Sequence, residues 1–249
     1  LKKPEHLSWE ESGCYTLTLA TAFRMLFGHP PHELKTGMNV LVWGASGGIG
    51  SMAVQICKAV GANAIGIISD DDKIQFVKKL GAVGVLNRRN YECFGQLPDV
   101  KNQADYSDFI KKCRVLGKDI WNITGKKDVD IVFEHPGEST FPVSCYLVKT
   151  GGMVVICAGT SGYNLTMDAR YVWMRQKRIQ GSHFANLFQA NQANQMMINK
   201  LIDPLMSECF GWEKIPAAHT KMMNNKHLPG NMAALVQAKK TGMKSFNEL

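Results

Sequence analysis

The stretch Val40-Leu-Val-Trp-Gly-Ala-Ser-Gly-Gly-Ile-Gly-Ser51 constrains the fold of this chain more than any other. An apolar run ends in a glycine-rich turn, and a helical pattern starts at once. Ile49, Met52, Ala53, Ile56, Cys57 and Val60 recur at the spacing of one helix face. A second apolar run, Ala64-Ile-Gly-Ile-Ile-Ser69, completes a β-α-β unit of the length that a dinucleotide fold requires. Gly44 permits the tight turn, Gly47 lets the backbone approach phosphates, and Gly50 lets the helix pack on the strand. Such a turn holds a pyrophosphate on backbone N–H groups at a helix N-terminus, where the dipole favours negative charge. The candidate cofactor contacts in this stretch are Gly44, Ser46, Gly47, Gly48, Ile49 and Gly50.

The flanking segments extend the same alternation. Ser8 followed by Glu11 is a capping box, which predicts a helix from Trp9 to Leu26. Gly28-His-Pro-Pro-His breaks that helix before the first strand, Asn39 to Trp43. After the second strand, a helix over residues 69–81 carries aspartates in its first turn and lysines in its last, in accord with the helix dipole. A short strand, Gly84 to Leu86, follows. Residues 90–103 have poor periodicity and read as a surface insertion. The next helix is marked by Phe109, Cys113, Leu116, Ile120 and Ile123. Asp130 to Glu134 and Gly152 to Cys157 are the fourth and fifth strands, joined by a crossover helix within Glu138 to Val148. Arg178 to Gly181 is a sixth strand, and a helix spans Asn186 to Ile202. Strands alternating with helices predict an α/β fold, a doubly wound six-stranded parallel sheet of the Rossmann kind. Asn231 to Ala238 reads as a further strand with no partner in that sheet.

Composition narrows the partners. The chain has 249 residues, and its 29 lysines and arginines against 21 acidic residues give a net charge of +8. Nucleic acid requires basic residues gathered on one face, whereas these are scattered, so a phosphate-rich small molecule is expected and nucleic acid is not. The seven cysteines form no Cys-x-x-Cys pair, and their wide spacing points to reduced thiols in a cytoplasmic protein rather than disulfides or a metal site. His29, His32, His219 and His227 show no metal-ligand spacing and are assigned no role. No apolar run reaches membrane-spanning length, so no membrane partner is expected. The chain opens on Leu1 rather than Met, which leads us to expect a truncated or processed polypeptide.

With these segments placed, the sequence resembles the medium-chain dehydrogenase/reductase superfamily and, within it, the crotonyl-CoA carboxylase/reductase family. The resemblance is carried by Thr16-Leu-Thr-Leu-Ala-Thr-Ala-Phe-Arg-Met-Leu-Phe27, Leu41 to Gly50, Asp130-Ile-Val-Phe-Glu-His-Pro-Gly-Glu138, residues 151–160, Arg170-Tyr-Val-Trp-Met174 and Gly181-Ser-His-Phe-Ala-Asn186. It implies a division into a connecting helix (1–36), a Rossmann cofactor domain (37–205) and a C-terminal segment (206–249) that returns to a GroES-like catalytic domain absent from this chain. It also implies NADPH as cofactor, an acyl-CoA and CO2 as substrates, and a homotetramer built on edge-strand pairing. The implied reaction is reductive carboxylation: hydride adds to the β-carbon of an α,β-unsaturated acyl-CoA such as crotonyl-CoA. The resulting enolate takes up CO2 at its α-carbon, giving ethylmalonyl-CoA in the crotonyl case.

Individual residues follow from the same comparison. Asp70 lies where an acidic residue on the ribose 2′-hydroxyl would signal NAD. Ser69 stands beside it, and Lys73 and Arg88 lie where relatives place groups around a 2′-phosphate, so NADPH is expected despite Asp70. Ala158 and Gly159, inside a matching stretch, complete the candidate cofactor set. The resemblance places His183 beside the nicotinamide, helping to hold CO2, and makes it the catalytic candidate. It places Arg170 and Tyr171 on the adenine end of coenzyme A, with Tyr146 a further candidate. Glu134 and His135 read as structural, and the tryptophans as core or interface residues. Two other functions remain open. One is an NADPH-dependent enoyl or quinone reductase without CO2 fixation; the other is an inactive dinucleotide-binding fragment.

Overall fold

The computed structural model of the chain describes residues 1–236, 238 and 240–245. Its central sheet holds β1 (Asn39–Val42), β2 (Asn63–Ile68), β3 (Gly84–Asn87), β4 (Val129–Glu134), β5 (Val148–Ile156) and β6 (Arg178–Gly181). All neighbours are parallel, in the order β3-β2-β1-β4-β5-β6. This is the doubly wound six-stranded sheet expected, with strand order reversing between β1 and β4.

Alternation along each strand divides the core in two. Val40 and Val42 of β1, Ile131 and Phe133 of β4, and Met153 and Val155 of β5 face one layer. That layer contains α2 (Thr16–Phe27), α3 (Gly48–Val60), α4 (Ile74–Leu80) and α8 (Leu187–Ile198). Leu41, Trp43, Val132 and Val154 face the other, which is covered by α5 (Gln103–Thr124) and α6 (Phe141–Leu147). Both faces being covered explains why the strands read as unbroken apolar runs. The α5 residues Phe109, Cys113, Leu116 and Ile120 are buried as their spacing predicts.

Several local expectations change. The helix expected from Trp9 to Leu26 is interrupted at Tyr15, giving α1 (Trp9–Cys14) and then α2. The capping box forms, with Glu11 N donating to Ser8 Oγ at 3.2 Å and Ser8 N to Glu11 Oε2 at 2.7 Å. Tyr15 is drawn elsewhere, its hydroxyl 2.6 Å from Asn194 Oδ1 of α8. The segment after β3 is not all surface: Cys93 is buried, and Phe94 stands edge-on to Trp43 with ring centroids 5.8 Å apart. The helix expected to reach Ile202 stops at Ile198. Of the tryptophans, Trp43 is core, whereas Trp121, Trp173 and Trp212 are exposed.

The C-terminal strand stands outside the six-stranded sheet, as expected, and finds its partner elsewhere. β8 (Asn231–Leu235) pairs in parallel with β7 (Met206–Gly211), a strand the sequence pattern does not announce, in a separate two-stranded sheet. The connection contains α9 (Ile215–Met223). Of the span expected as strand to Ala238, Gln237 lies outside the described residues, as do Lys239 and 246–249 of the C-terminal segment. No helix among the described residues is long and apolar enough to cross a membrane.

Candidate functional site

The glycine turn sits at the point where strand order reverses. Gly44 follows Trp43 with φ +56°, a conformation that favours glycine, and an added Cβ would fall 2.5 Å from His135 Nε2. Ala45 N then bonds Ile67 O at 3.0 Å and Gly47 N bonds Gly44 O at 2.9 Å, closing the turn. At Gly50 a Cβ would lie 2.9 Å from Ala45 Cα and strike the Gly44 carbonyl, so α3 seats on the turn only with glycine there. Gly47, the N-cap of α3, contributes no side-chain cap, which leaves first-turn amides directed outward. A Cβ on Gly47 would meet protein no closer than 3.4 Å, so the free space beside it is suited to a ligand.

A cleft of about 430 Å³ opens at this turn. Its walls bring together Gly44, Ser46, Gly47, Ser69, Lys73 and Arg88 from the expected cofactor set. Gly48, Ile49 and Gly50 form the first turn of α3 behind it, and Ala158 and Gly159 precede Thr160 and Ser161, which line it. The edge formed by β2 and β3 carries the charge. Asp70 does not point free into solvent as a lone acid: Lys73 Nζ lies 3.1 Å from Oδ2, Arg89 Nη1 2.6 Å from Oδ1, and the Ser69 hydroxyl donates to Oδ2 at 3.0 Å. These partners, Lys73 foremost, lower the Asp70 pKa. The Arg88 guanidinium lies 5.1 Å from the Phe94 ring, which also stands edge-on to Trp43. The residue that would mark NAD is therefore bracketed by two cations, with a third nearby.

The opposite wall holds residues to which the sequence analysis gives no site role. His135 lines the cleft and its Nε2 lies 3.1 Å from Trp43 O, with burial lowering its pKa. Its position just beyond β4, beside the reversal of strand order, is the signal that marks it. Asn225, His227 and Pro229 reach the cleft from the loop before β8, and His227 Nδ1 is buried there without a hydrogen-bond partner. No local pattern identifies them, because the tertiary return of the chain delivers them. Glu134 is fully buried and structural. It accepts from Gly137 N at 3.1 Å, Thr140 Oγ1 at 2.7 Å and Ser144 Oγ, which itself accepts from Trp43 Nε1 at 2.8 Å. Burial pushes its carboxyl up to about 7.

His183 stands two residues beyond β6, exposed, its ring edge-on to Phe184 at 4.3 Å between centroids. It is on the same end of the sheet as the glycine turn but outside the walls of that cleft. Arg170 and Tyr171 begin α7 (Arg170–Trp173), at the other end of the sheet. A second cleft, about 760 Å³, lies there between the end of α5, the start of β4 and the start of β5. Tyr146 and Tyr171 line it, their rings 6.4 Å apart, together with Arg114, Lys118, Lys149 and Lys177. Arg170 adjoins it through Tyr171. The lining is aromatic and strongly basic, a combination suited to a phosphorylated nucleotide.

Comparison with known proteins gives a consistent result. Residues 48–202 match the family described as zinc-binding dehydrogenase. The whole chain is 64% identical over 250 residues to a crotonyl-CoA carboxylase/reductase from Cereibacter sphaeroides, of which it covers 58%. A solved crotonyl-CoA carboxylase/reductase superposes on the whole chain with a TM-score of 0.96 at 61% identity, again over 58% of that chain. A 2-octenoyl-CoA carboxylase reductase, described in complex with NADP and 2-octenoyl-CoA, gives 0.86 at 35% identity, covering 98% of this chain and 53% of its own. The chain thus spans little more than half the length of these relatives. Among the described residues no group of three or more His, Cys, Asp or Glu side chains is placed to hold a metal ion.

Proposed function

This chain belongs to the zinc-binding dehydrogenase family, and we propose that it supplies the cofactor-binding half of an NADPH-dependent enoyl-CoA carboxylase/reductase. The observation that carries this reading is the 64% identity to a crotonyl-CoA carboxylase/reductase across the whole chain. The cleft at the glycine turn fits a nicotinamide dinucleotide: the first-turn amides of α3 would take the pyrophosphate, and Lys73, Arg88 and Arg89 the 2′-phosphate. When bound, that cofactor supplies the hydride delivered to the β-carbon of the unsaturated thioester.

The chain's own residues then have defined tasks. His183, at the mouth of β6, holds CO2 against the enolate α-carbon, where water is the competing proton donor that must be kept out. Arg170, Tyr171 and Tyr146 bind the nucleotide end of coenzyme A, the reading supported by the basic, aromatic cleft they adjoin. Copies of the chain associate through β6. In support, β6 is an edge strand flanked by exposed Trp173, Phe184, Leu187 and Phe188. A tetramer and a cytoplasmic location accord with this family reading; the seven free thiols support the latter. The test is to incubate the full-length protein with crotonyl-CoA, NADPH, bicarbonate and carbonic anhydrase. A dicarboxylic acyl-CoA product is expected. Butyryl-CoA alone would leave an ordinary enoyl reductase, and no turnover a binding fragment.

A further inference from the structure

We propose that Tyr106 is a positioning residue that sets both Arg170 and Tyr171 for the nucleotide end of a coenzyme A thioester, an inference that rests on the assignment of that pair above. Tyr106 is in the first turns of α5, a stretch in which the sequence marks no functional residue. Its hydroxyl donates to Asp168 Oδ2 at 2.7 Å and neighbours the Tyr171 hydroxyl. Its ring lies 5.7 Å from the Arg170 guanidinium carbon. One side chain therefore touches both members of the pair and the carboxylate that links it to Arg170.

Asp168 is 4% exposed, and apart from the Tyr106 hydroxyl its bonds are directed to Arg170. Arg170 Nε lies 2.9 and 3.0 Å from the two carboxylate oxygens, Nη2 lies 2.5 Å from Oδ2, and the backbone N of Arg170 donates to Oδ1 at 3.0 Å. The Arg170 guanidinium holds this carboxyl down near 2. Nε and Nη2 are thereby committed. Nη1 stays open on a side chain that is 51% exposed, so the guanidinium offers a free edge for phosphate or a face for a base. Tyr171 is fixed from below as well. Lys177 Nζ lies 4.6 Å from its ring and donates to Cys145 O at 2.7 Å and Tyr146 O at 2.9 Å. Left alone, an exposed arginine samples many rotamers and loses that freedom on binding. The Tyr106 hydroxyl removes part of that loss beforehand.

A purely structural role fits less well, because the Tyr106 ring is half-buried and stands outside the buried cluster that α5 builds with the sheet. The experiment compares Tyr106→Phe with the parent in the full-length enzyme, using enoyl thioesters of coenzyme A and of pantetheine, which lacks the nucleotide. The expected result is a roughly three- to tenfold higher KM for the CoA thioester. kcat, the KM for the pantetheine thioester and the KM for NADPH are expected to stay at parental values. Arg170→Ala should raise the same KM, and adding Tyr106→Phe to it should add little, since the two act as one unit. An unchanged KM in Tyr106→Phe, an equal rise for both thioesters, or full additivity overturns the proposal. If Arg170→Ala raises the CoA KM while Tyr106→Phe does not, Tyr106 alone is excluded. If neither Arg170→Ala nor Tyr171→Phe changes the ratio of the two KM values, the underlying assignment falls and this proposal with it.

Discussion

Replacing Lys73 by alanine is the sharpest test of the cofactor cleft. Lys73 is largely buried and shares Asp70 with Arg89. A cation about 4 Å from a phosphate charge gains about 4 kcal/mol at an effective dielectric near 20, an upper bound before desolvation. The net value of one hydrogen bond to a charged group is nearer 1.5–3 kcal/mol. Lys73→Ala should therefore weaken NADPH roughly ten- to hundredfold. Because NADH has no 2′-phosphate, its affinity should change by less than about threefold on the same scale. The substitution also leaves Asp70 with Arg89 as its remaining cation, so part of the loss is repulsion between the carboxylate and the phosphate. Adding Asp70→Asn to Lys73→Ala should recover some NADPH affinity. The assay is fluorescence titration of both nucleotides against the full-length protein at fixed ionic strength, since screening weakens exposed charge. Equal weakening of NADH and NADPH would refute the reasoning, as would a parent protein that binds NADH more tightly. If Asp70 gripped a ribose 2′-hydroxyl, Asp70→Asn alone would weaken NADH sharply, and the clasp by two cations predicts that it does not.

Three further outcomes are expected. His183→Ala in the full-length enzyme should shift products from carboxylated to simply reduced acyl-CoA, and an unchanged product ratio measured by chromatography removes His183 from the mechanism. Glu134, raised from 4.5 to about 7, keeps its proton in the folded chain over a range where the unfolded chain has lost it. Its contribution is thus complete below about pH 4.5 and declines by about 3 kcal/mol as pH rises to 7. Glu134→Gln should flatten denaturant-melt stability between pH 5 and 7.5, and an unaltered slope would show that another group governs it. Gly50→Ala, which forces a Cβ into the Gly44 carbonyl, should cost about 1–3 kcal/mol in stability and abolish nucleotide binding. A variant with parental melting and binding would show that the turn does not need the close approach.

How much of this the sequence reveals depends on where each signal is stored. The glycine turn and the strands are legible because their constraints are local: Val40 and Val42 face one layer, Leu41 and Trp43 the other, and four consecutive apolar residues record both. The Ser8–Glu11 box and the Gly61 and Gly81 helix ends are equally local, both glycines taking left-handed caps. The break at Tyr15 is not local, since Asn194 of α8 supplies the bond that favours it. β7 leaves no periodic trace, because each of its residues is only half-buried and its partner lies beyond α9. The cofactor site divides along the same line. Gly44, Ser69 and Arg88 follow the ends of predictable strands, Lys73 lies in the first turn of the predictable helix after β2, and all four are found in one cleft, whereas His227 and Pro229 arrive through the return of the chain to the turn. Arg89 is missed because only the fold shows that Asp70 is its partner.

The two candidate substrate positions are at opposite ends of the sheet, and that separation has a consequence. The basic cleft meets β5 at Val148, whereas His183 follows β6, whose last residue pairs with Ile156 at the far end of β5. At about 3.3 Å per residue the two lie roughly 25 Å apart along the strand, on different ends of a closed α/β layer. If copies pair along β6 as proposed above, the nucleotide end of a thioester held at His183 is expected on the adjoining copy. Co-expressing full-length His183→Ala and Arg170→Ala chains decides this. If each site draws His183 from one copy and Arg170 from another, a mixed oligomer contains some sites with both residues intact. Carboxylation measured at low acyl-CoA should then exceed that of either variant alone. If each site is built within a single chain, every site in the mixture carries one lesion, and the mixture will show only the average of the two variants.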